Sequence, residues 1–426
     1  MAFERGDRTS YSACGIPYWI GGLVAEVDDL IARTPHEHRE RDIDVRTGHI
    51  VSGIDLGKRQ VTVWTPFGEE ETHGYDQLMI ATGGEPIRPD WPGIDGKGVH
   101  GVQTLDDGEA VSASIQRGRG GQAAKRAVVI GAGYIGVEMA EALMRRELAV
   151  TLVERGAEPM HTLDPDMGAL VGTALRKMGI DVRTGVTVQA IELDDDGWVR
   201  SVVTDAGEFA ADLVVLGLGT RPSAHLARDA GVPIGAAGGI ITDRRMRVPG
   251  HEGVWAAGDC VEVLHRVTGQ SVAIPLGTHA NKQGRVAGIN LGGGYATFPG
   301  VVGTAVSNVC ELEIARTGLR EEEAEAAGFA SVTATIESST QAGYYPGADT
   351  VTVKLLAERG TGLLLGGQLV GGAGTAKRID VLAVALWNRM TVDEMTGLDL
   401  GYAPPFSPVW DPVLVAARAA SDAVHG

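Results

Sequence analysis

A cysteine near the start of the chain has the residue type and the setting for redox chemistry. Cys14 lies in TSYSACGIPYWIGG, residues 9 to 22, and is one of three cysteines in 426 residues. A thiolate can act as a nucleophile and can store an oxidising equivalent, whereas a free cysteine can equally be a small buried apolar residue. Cys14 is therefore a candidate redox centre whose role depends on what the rest of the chain binds.

A glycine pattern further along the chain is typical of a dinucleotide site. The stretch AVVIGAGYIGVEMAEALMRREL places G-x-G-x-x-G at Gly131, Gly133 and Gly136, between a predicted strand and a predicted helix. The three glycines permit a tight turn, close approach of the backbone to a pyrophosphate, and close helix–strand packing. We predict that the helix N-terminus, which opens with Tyr134 and Ile135, faces the anion.

The next strand ends in an acid that indicates which dinucleotide is bound. Glu154 follows Gly131 by 23 residues, close to the spacing of about 20 residues expected for the acid that binds the ribose. Its carboxylate can accept hydrogen bonds from the adenosine ribose and repel a 2′-phosphate, which favours NADH. Arg155 could pair with that phosphate, so NADPH stays open.

The elements around this turn predict an α/β protein. Short apolar runs such as AVVI (127–130), AVTLV (149–153) and DLVVLGLG (212–219) alternate with helical stretches, as in a doubly wound parallel sheet. From about residue 301 the pattern changes to strands such as ASVTATIES, then a helix and a Pro-rich tail. We therefore predict several domains, with an α+β domain at the end.

Charge and cysteine spacing argue against several classes of partner. The formal net charge of −18 opposes binding to nucleic acid or an anionic membrane. The cysteines form no C-x-x-C and no cluster with histidine, so we predict no metal site and no disulfide framework, and Cys260 and Cys310 are interpreted as structural. Without a signal peptide or a long apolar run, we expect a cytoplasmic protein. The acidic run REEEAEAAG (320–328) is interpreted as a solvated helix face.

Several motifs together resemble one enzyme family. YSACGIPY, YDQLMIATGGEPIRP, GAGYIGVE, LGLGTRP, GVWAAGDC and IPLGTHANKQGRVAGINL occur in this order along the chain. The order resembles that of the flavin-dependent pyridine nucleotide-disulfide oxidoreductases, and in particular the single-cysteine branch that holds coenzyme A-disulfide reductases, NADH oxidases and NADH peroxidases.

The resemblance implies two Rossmann-like domains and a C-terminal domain that builds a homodimer. An FAD domain would be interrupted by the NAD(P)H domain. We therefore predict a first FAD segment at 1–105, an NAD(P)H-binding domain at 106–226, a second FAD segment at 227–300 and an α+β dimerisation domain at 301–426.

The resemblance also assigns FAD-binding residues. Glu4 resembles the acid that binds the FAD ribose, and Asp259 resembles the carboxylate that binds the ribityl chain. A helix start at 278–280 would face the flavin and stabilise negative charge on it, although a structural role for the histidine there is also open. The predicted FAD contacts are Glu4, Ser10, Thr82, Gly83, Gly219, Asp259, Thr278, His279 and Ala280.

One expected FAD element does not occur in the sequence. The family carries a glycine-rich turn ahead of its equivalent of Glu4, whereas here Glu4 follows only three residues. We hypothesise that the sequence begins at an internal Met and that the natural product carries about 30 more residues, the front half of such a unit. A flavin-free chain that binds only NAD(H) or a partner is the alternative.

The resemblance implies a specific role for Cys14. Family members with two redox cysteines carry C-x-x-x-x-C, but here Trp19 occupies the second position. Cys14 would then store its equivalent as a mixed disulfide, sulfenic acid or persulfide, and we expect a helix start to lower its pKa. Electrons would pass from NADH through FAD to Cys14, with Tyr134 as an aromatic gate over the flavin and Glu138 near the nicotinamide.

The acceptor is predicted to be coenzyme A disulfide, with oxygen, as in NADH oxidases, the alternative. QAGYYPGA (341–348) and YAPPFSPVWDPV (402–413) resemble segments of coenzyme A-disulfide reductases whose tyrosines reach the partner subunit's cysteine. Tyr402, with Tyr344 or Tyr345, would then donate a proton or hydrogen bond to the departing thiol. These aromatic residues could instead simply fill the dimer interface.

Overall fold

The computed structural model describes the backbone of residues 1–426 and every side chain except that of Arg119. The helices are α1 (Ile16–Ile20), α2 (Pro35–Arg39), α3 (Leu105–Gln116), α4 (Tyr134–Arg145), α5 (Pro165–Lys177), α6 (His225–Asp229), α7 (Gly277–Leu291), α8 (Glu321–Ala326), α9 (Ile379–Trp387), α10 (Val392–Met395) and α11 (Pro412–His425). Short 3-10 helices occupy Ala13–Gly15, Val27–Leu30, Arg119–Gly121 and Ala376–Arg378. Among the described residues, no helix combines the length and the apolar character needed to cross a bilayer.

Strands are distributed along the whole chain. The first fourteen are β1 (Ala2–Phe3), β2 (Val45–Arg46), β3 (Ile50–Asp55), β4 (Gln60–Trp64), β5 (Glu70–Gly74), β6 (Leu78–Ile80), β7 (Gly84–Pro86), β8 (Val99–His100), β9 (Arg126–Ile130), β10 (Ala149–Val153), β11 (Asp181–Arg183), β12 (Val188–Leu193), β13 (Val199–Thr204) and β14 (Gly207–Ala210). The others are β15 (Leu213–Leu216), β16 (Thr220–Pro222), β17 (Ile240–Ile241), β18 (Val254–Ala256), β19 (Val261–Leu264), β20 (Ser271–Val272), β21 (Ala305–Val309), β22 (Leu312–Gly318), β23 (Ser331–Ser339), β24 (Thr350–Glu358) and β25 (Leu364–Gly371).

A five-stranded parallel sheet in the order β11-β10-β9-β15-β8 positions the glycine turn. Both faces are covered, as a parallel sheet requires. On β9, Val129 packs into a core shared with Leu143 of α4 and Val171 of α5, while Val128 packs with residues of the antiparallel sheet β12-β13-β14. The sheet takes β8 from before residue 106, where we placed the start of this domain.

Two long-range pairings join the chain on either side of that sheet. β6 pairs in parallel with β18, which sets Ile80 beside Ala256, and β7 pairs with β16. β1 forms a separate parallel pair with β2, and β3, β4 and β5 form an antiparallel meander. Residues before 100 and residues after 250 therefore share one core, in which Ile80, Ala256 and Val286 of α7 pack together.

The C-terminal part is a five-stranded antiparallel sheet in the order β21-β22-β25-β24-β23. The helices α9, α10 and α11 pack on one face, where Val353 and Leu369 of the sheet meet Leu382 and Val413. The parallel sheet with its helices and this antiparallel sheet confirm the predicted mixed α/β class and the change in pattern near residue 301.

Candidate functional site

The glycine turn has the geometry of a dinucleotide cradle. Gly131 has a φ of 95°, which favours glycine, and a Cβ at Gly136 would overlap the Gly131 carbonyl oxygen. α4 begins directly after Gly133, which caps it without a side-chain hydrogen bond. The first amides of α4 are therefore free to bind an anion at the carboxyl edge of the parallel sheet.

Glu154 braces this turn. One carboxylate oxygen accepts a hydrogen bond from the Ala132 amide at 2.8 Å, and the other accepts one from the Gly156 amide at 2.7 Å. A carboxylate has about four acceptor positions, so two remain for the hydroxyls of a ribose. The predicted acid thus lies against the turn, where a ribose contact requires it.

Tyr134 opens α4 and is largely packed against the core of the parallel sheet. Burial raises the pKa of its hydroxyl, and the side chain of Thr162 lies close enough to act in the opposite direction. Ile135 packs on the same core. The segment around Thr162 is bound to the turn as well, because the Met160 amide donates to the Ala132 carbonyl at 2.8 Å.

Glu138 lies one turn further along α4 and faces the C-terminal sheet. The Ser307 hydroxyl on β21 donates to its carboxylate at 2.8 Å. Burial raises the pKa of Glu138 to about 7, with a further increase from the charge of Glu141, and the Ser307 hydrogen bond only partly offsets them. Glu138 can therefore hold or release a proton near neutral pH.

Cys14 lies in the 3-10 helix Ala13–Gly15 with an exposed side chain. The expected lowering of its pKa is wrong for this arrangement. Partial desolvation by the surrounding protein raises the pKa of the thiol, and the charges of Glu138 and Asp259 raise it further. The 3-10 helix and the five-residue α1 after it are too short to supply a large opposing dipole.

Trp19 takes the position at which a second redox cysteine was considered. Its ring is partly buried in the core below Cys14, and a Cβ at Gly108 of α3 would lie 2.7 Å from it.

Cys260 is fully buried, and its thiol lies 3.3 Å from the Ala257 carbonyl that accepts its hydrogen bond. Cys310 has a pKa raised to about 11 by desolvation and by Glu141.

Asp259 follows β18 and lies at the edge shared with α7. It is half-buried, and burial raises its pKa. Among the described side chains and amides, no group donates a hydrogen bond to this carboxylate. The preceding Gly258 is held by Gln283 of α7, whose side-chain oxygen accepts from the Gly258 amide at 2.7 Å, so the backbone that leads to Asp259 is held against α7.

At the start of α7, the amides of Gly277 and Thr278 donate to no group among the described residues, whereas those of His279 and Ala280 donate to the Leu276 carbonyl. No side chain caps the helix at Leu276, and Thr278 is exposed while Ala280 approaches Gly258, since a Cβ there would be 3.9 Å from that of Ala280. His279 instead points inward, with its ring nitrogen Nδ1 hydrogen-bonded to the Ile274 carbonyl at 3.2 Å. Burial lowers the pKa of His279, which accords with a structural role.

Thr82 and Gly83 follow β6 and are hydrogen-bonded to Ser223, which follows β16. The Thr82 hydroxyl donates to the Ser223 carbonyl at 2.5 Å, and the Ser223 amide donates to the Gly83 carbonyl. Gly83 and Gly219 both have positive φ, 68° and 85°. These hydrogen bonds join the segment after β6 to the segment after β16.

Glu4 lines a cleft of about 490 Å³ together with residues 5–8, 11, 86, 88, 101 and 103–107. Its carboxylate accepts from the Gly6 amide at 2.7 Å. Ser10 has a φ of 50° and its hydroxyl is hydrogen-bonded to Nε2 of His38 at 2.9 Å. The sequence did not point to His38, because it lies 28 residues away on α2.

The three tyrosines lie on one exposed surface. Tyr344, Tyr345 and Tyr402 are 78%, 37% and 48% exposed, and a hydrogen bond with Tyr344 raises the pKa of Tyr402. The two segments are joined by the Ala342 amide, which donates to the Pro404 carbonyl at 3.0 Å. Phe406 and Trp410 are exposed in the same segment, so the surface is strongly apolar.

Sequence reasoning missed Ser307 and Glu141 because each forms its hydrogen bond with a residue 169 positions away along the chain. Glu141 accepts from the Cys310 amide at 2.8 Å, as Glu138 accepts from Ser307. The i, i+3 spacing of the two acids on α4 was visible in the sequence, and it indicates that they share one helix face.

Comparison with known proteins gives consistent matches over the whole chain. Residues 1–284 match the family model described as pyridine nucleotide-disulphide oxidoreductase, and residues 304–412 match its dimerisation domain. The NAD(P)H sulfur oxidoreductase (CoA-dependent) of Pyrococcus abyssi is 38% identical over 418 residues, covering 98% of this chain and 91% of that protein. The NADH oxidase of Methanocaldococcus jannaschii is 36% identical over 98% of this chain and 92% of its own length.

Solved structures agree with these matches. The NAD-dependent persulfide reductase from A. fulgidus superposes with a TM-score of 0.94 at 40% identity, covering 99% of this chain and 77% of that chain. The water-forming NADH oxidase from Lactobacillus brevis, bound to NADH, superposes with a TM-score of 0.93 at 29% identity, covering 99% and 92%.

Proposed function

The chain belongs to the pyridine nucleotide-disulphide oxidoreductase family, and on that premise we propose that it oxidises NAD(P)H, with NADH favoured, to reduce coenzyme A disulfide through Cys14. The reaction balances as NADH, a proton and the disulfide giving NAD⁺ and two thiols. The observation that carries the proposal is the placement of Cys14: its thiol is exposed and lies near enough to Glu138, beside the glycine turn, and to Asp259, beside α7, for both charges to act on it.

The residues present fit a nicotinamide dinucleotide. Any side chain at Gly136 would overlap the Gly131 carbonyl oxygen, so the turn is tight. A tight glycine turn lets the backbone contact a pyrophosphate. Glu154 keeps acceptor capacity for the ribose. We propose Gly131, Gly133, Tyr134, Ile135, Gly136, Glu138 and Glu154 as the contacts of this cofactor.

The residues near Asp259 fit a flavin. Among the described residues, no group donates to the half-buried Asp259 carboxylate, and the Gly277 and Thr278 amides at the start of α7 have no acceptor. This acceptor and these donors suit a ribityl chain and a flavin ring edge. Bound FAD would supply two-electron transfer between the nicotinamide and a disulfide at Cys14. We propose Glu4, Ser10, Thr82, Gly83, Gly219, Asp259, Thr278, His279 and Ala280 as its surroundings.

Side chains of this protein supply the nucleophilic thiol and the groups that transfer protons. The Cys14 thiolate attacks one sulfur of coenzyme A disulfide, the bond between the two coenzyme A sulfurs breaks, and one coenzyme A leaves as the thiol. Glu138 can hold or give up a proton near neutral pH. Tyr402 with Tyr344 or Tyr345 would reach the Cys14 of a second subunit, which we propose from the match of residues 304–412 to a dimerisation domain.

The domain limits 1–105, 106–226, 227–300 and 301–426 and a cytoplasmic location also remain our proposals. Reduction of oxygen by the same scaffold is the second candidate, because the relative from Methanocaldococcus jannaschii is an NADH oxidase at 36% identity.

Anaerobic NADH consumption tests the proposed acceptor. We expect oxidation that depends on added coenzyme A disulfide, and we expect Cys14→Ser to lower its rate at least about 100-fold, because the nucleophile is lost. The matched control is Cys310→Ser, which should keep the rate. Turnover that needs oxygen would favour the oxidase, and full activity of Cys14→Ser would exclude the role of Cys14.

A further inference from the structure

Lys354 is a buried cation that joins the C-terminal sheet to the nucleotide-binding part of the chain. Its side chain on β24 is 5% exposed. The ammonium lies 3.1 Å from the Asp164 carboxylate and 2.8 Å from that of Asp166, and it also contacts Glu321 of α8. One cation thus holds three carboxylates from two parts of the chain.

Other bonds bind the same segment to the C-terminal sheet. Gln368 on β25 donates to the Asp164 carboxylate at 2.7 Å and accepts from the Asp164 amide at 2.8 Å. Arg316 on β22 donates to the Thr162 carbonyl at 2.7 Å and to Glu323 at 3.0 Å. The acidic run at 320–328 is therefore not simply a solvated helix face, since Glu321 and Glu323 pair with buried cations.

The segment held in this way reaches the glycine turn directly. Besides the Met160 amide bond to the Ala132 carbonyl, a Cβ at Gly133 would lie 3.5 Å from the ring of His161. Met160 itself is fully buried with a φ of 56°, so the segment has little freedom to shift independently. A shift of residues 160–166 would therefore also move Ala132 and Gly133, and with them the amides at the start of α4.

We propose that Lys354 is a positioning residue for the dinucleotide site, which it holds in place from the C-terminal domain through the segment 160–166. The inference rests on the proposed binding of NAD(P)H at the glycine turn. Without the ammonium, the buried Asp164 carboxylate, which is 3% exposed, would lose its counter-charge and would be repelled by Asp166 and Glu321, so the segment would move away from the sheet and take the turn with it.

The electrostatics of Lys354 support this role. Burial lowers its pKa, but hydrogen bonds to Asp166 and Glu321 and the charge of Asp164 outweigh burial and raise the pKa above its usual value. The ammonium therefore stays charged at neutral pH, where it pairs with the three carboxylates.

Calorimetric titration with ADP-ribose tests the proposal without turnover. ADP-ribose carries the pyrophosphate and riboses that the turn would contact and no group that reduces a flavin. We expect Lys354→Met to bind it about 10-fold more weakly, within the range typical of coupling between sites, and to raise the KM for NADH by the same factor while kcat at saturating NADH and the flavin content stay unchanged. Lys354→Arg should restore most of the affinity.

Two further variants make the result decisive. Lys58→Met removes a lysine that is 74% exposed and pairs with Asp55 at the surface, and this variant should bind ADP-ribose as the natural chain does. Gln368→Leu removes two bonds to Asp164 without leaving a carboxylate cluster uncompensated, and should weaken binding about five-fold. Unchanged affinity in folded Lys354→Met or Gln368→Leu would overturn the positioning role, whereas failure of the natural chain itself to bind ADP-ribose would overturn the proposed function.

Discussion

At the scale of single residues, Glu138 is the group whose charge the fold controls most directly. Its carboxylate lies between the glycine turn and the C-terminal sheet, and burial raises its pKa to about 7. Since that charge in turn raises the pKa of Cys14, the protonation of one residue sets the reactivity of the other. Protonating Glu138 favours the thiolate, and ionising Glu138 disfavours it.

The raised pKa of Glu138 predicts a specific dependence of stability on pH. The folded value, about 7, lies above the ordinary value of 4.5, so the folded state binds a proton more tightly than the unfolded state. The neutral carboxyl stabilises the fold fully below pH 4.5, and this contribution is lost as pH rises to about 7. Glu138→Gln stays neutral, so it should gain about 1–3 kcal/mol relative to the natural chain over that range.

Thermal unfolding between pH 4.5 and 8.5 measures this difference. The midpoint of Glu138→Gln should rise relative to that of the natural chain up to about pH 7 and then run parallel to it. Glu325→Gln, on the exposed side of α8, serves as the control and should show no such divergence. Parallel curves for Glu138→Gln over the whole range would mean that Glu138 is ionised throughout.

Sequence reasoning identified the residues of this site better than it identified their environments. Glu138 was predicted from the resemblance of GAGYIGVE to the family motif, but its partner Ser307 lies 169 residues away, and no local pattern links them. The same limit made the expected pKa of Cys14 wrong: that expectation assumed a helix start at the thiol, whereas the desolvation of the thiol and the approach of Glu138 and Asp259 depend on the fold.

At the scale of elements, the conformation of the turn between β9 and α4 depends on residues that are close together in the sequence, and it was therefore the easiest part of the site to predict. Its glycines act within six residues of one another, from Gly131 to Gly136, so their spacing alone predicts the close packing seen in the structure. By contrast, the segment 160–166 that supports the turn depends on Lys354, which lies 188 residues beyond Asp166. Its role could be recognised only from the fold.

A single methyl group in this turn should therefore be disruptive. The Cβ of Gly136→Ala would overlap the Gly131 carbonyl oxygen, so the turn must open. We expect at least about 10-fold weaker binding of ADP-ribose and a loss of about 1–3 kcal/mol of stability, as for other overpacked sites.

A glycine in α7 provides the matched control. A Cβ at Gly284 meets no atom within 4 Å, so Gly284→Ala should keep the affinity and gain about 0.5–1 kcal/mol from its higher helix propensity. Calorimetric titration and thermal unfolding of both variants measure these effects. Equal affinity of Gly136→Ala and the natural chain would show that the turn does not contact the dinucleotide.

At the scale of the whole molecule, three parts of the chain converge on Cys14. Helix α4, which follows β9 of the parallel sheet, supplies Glu138. The segment after β18, which pairs with β6, supplies Asp259, and the first 3-10 helix supplies the thiol. The alternation of strands and helices was enough to predict the mixed α/β class. The bonds that lock the parts together, Ser307 to Glu138 and Lys354 to Asp164, were not predictable because their partners come from different domains.

The central claim is that Cys14 carries one coenzyme A during turnover, and mass spectrometry of the protein tests it most directly. The chain is reduced with NADH under anaerobic conditions, freed of NADH, and treated with one equivalent of coenzyme A disulfide. We predict one coenzyme A per chain, attached in the peptide that contains Cys14, and released by a second addition of NADH. A chain that stays unmodified, carries the group on Cys310, or keeps it after NADH would contradict the account.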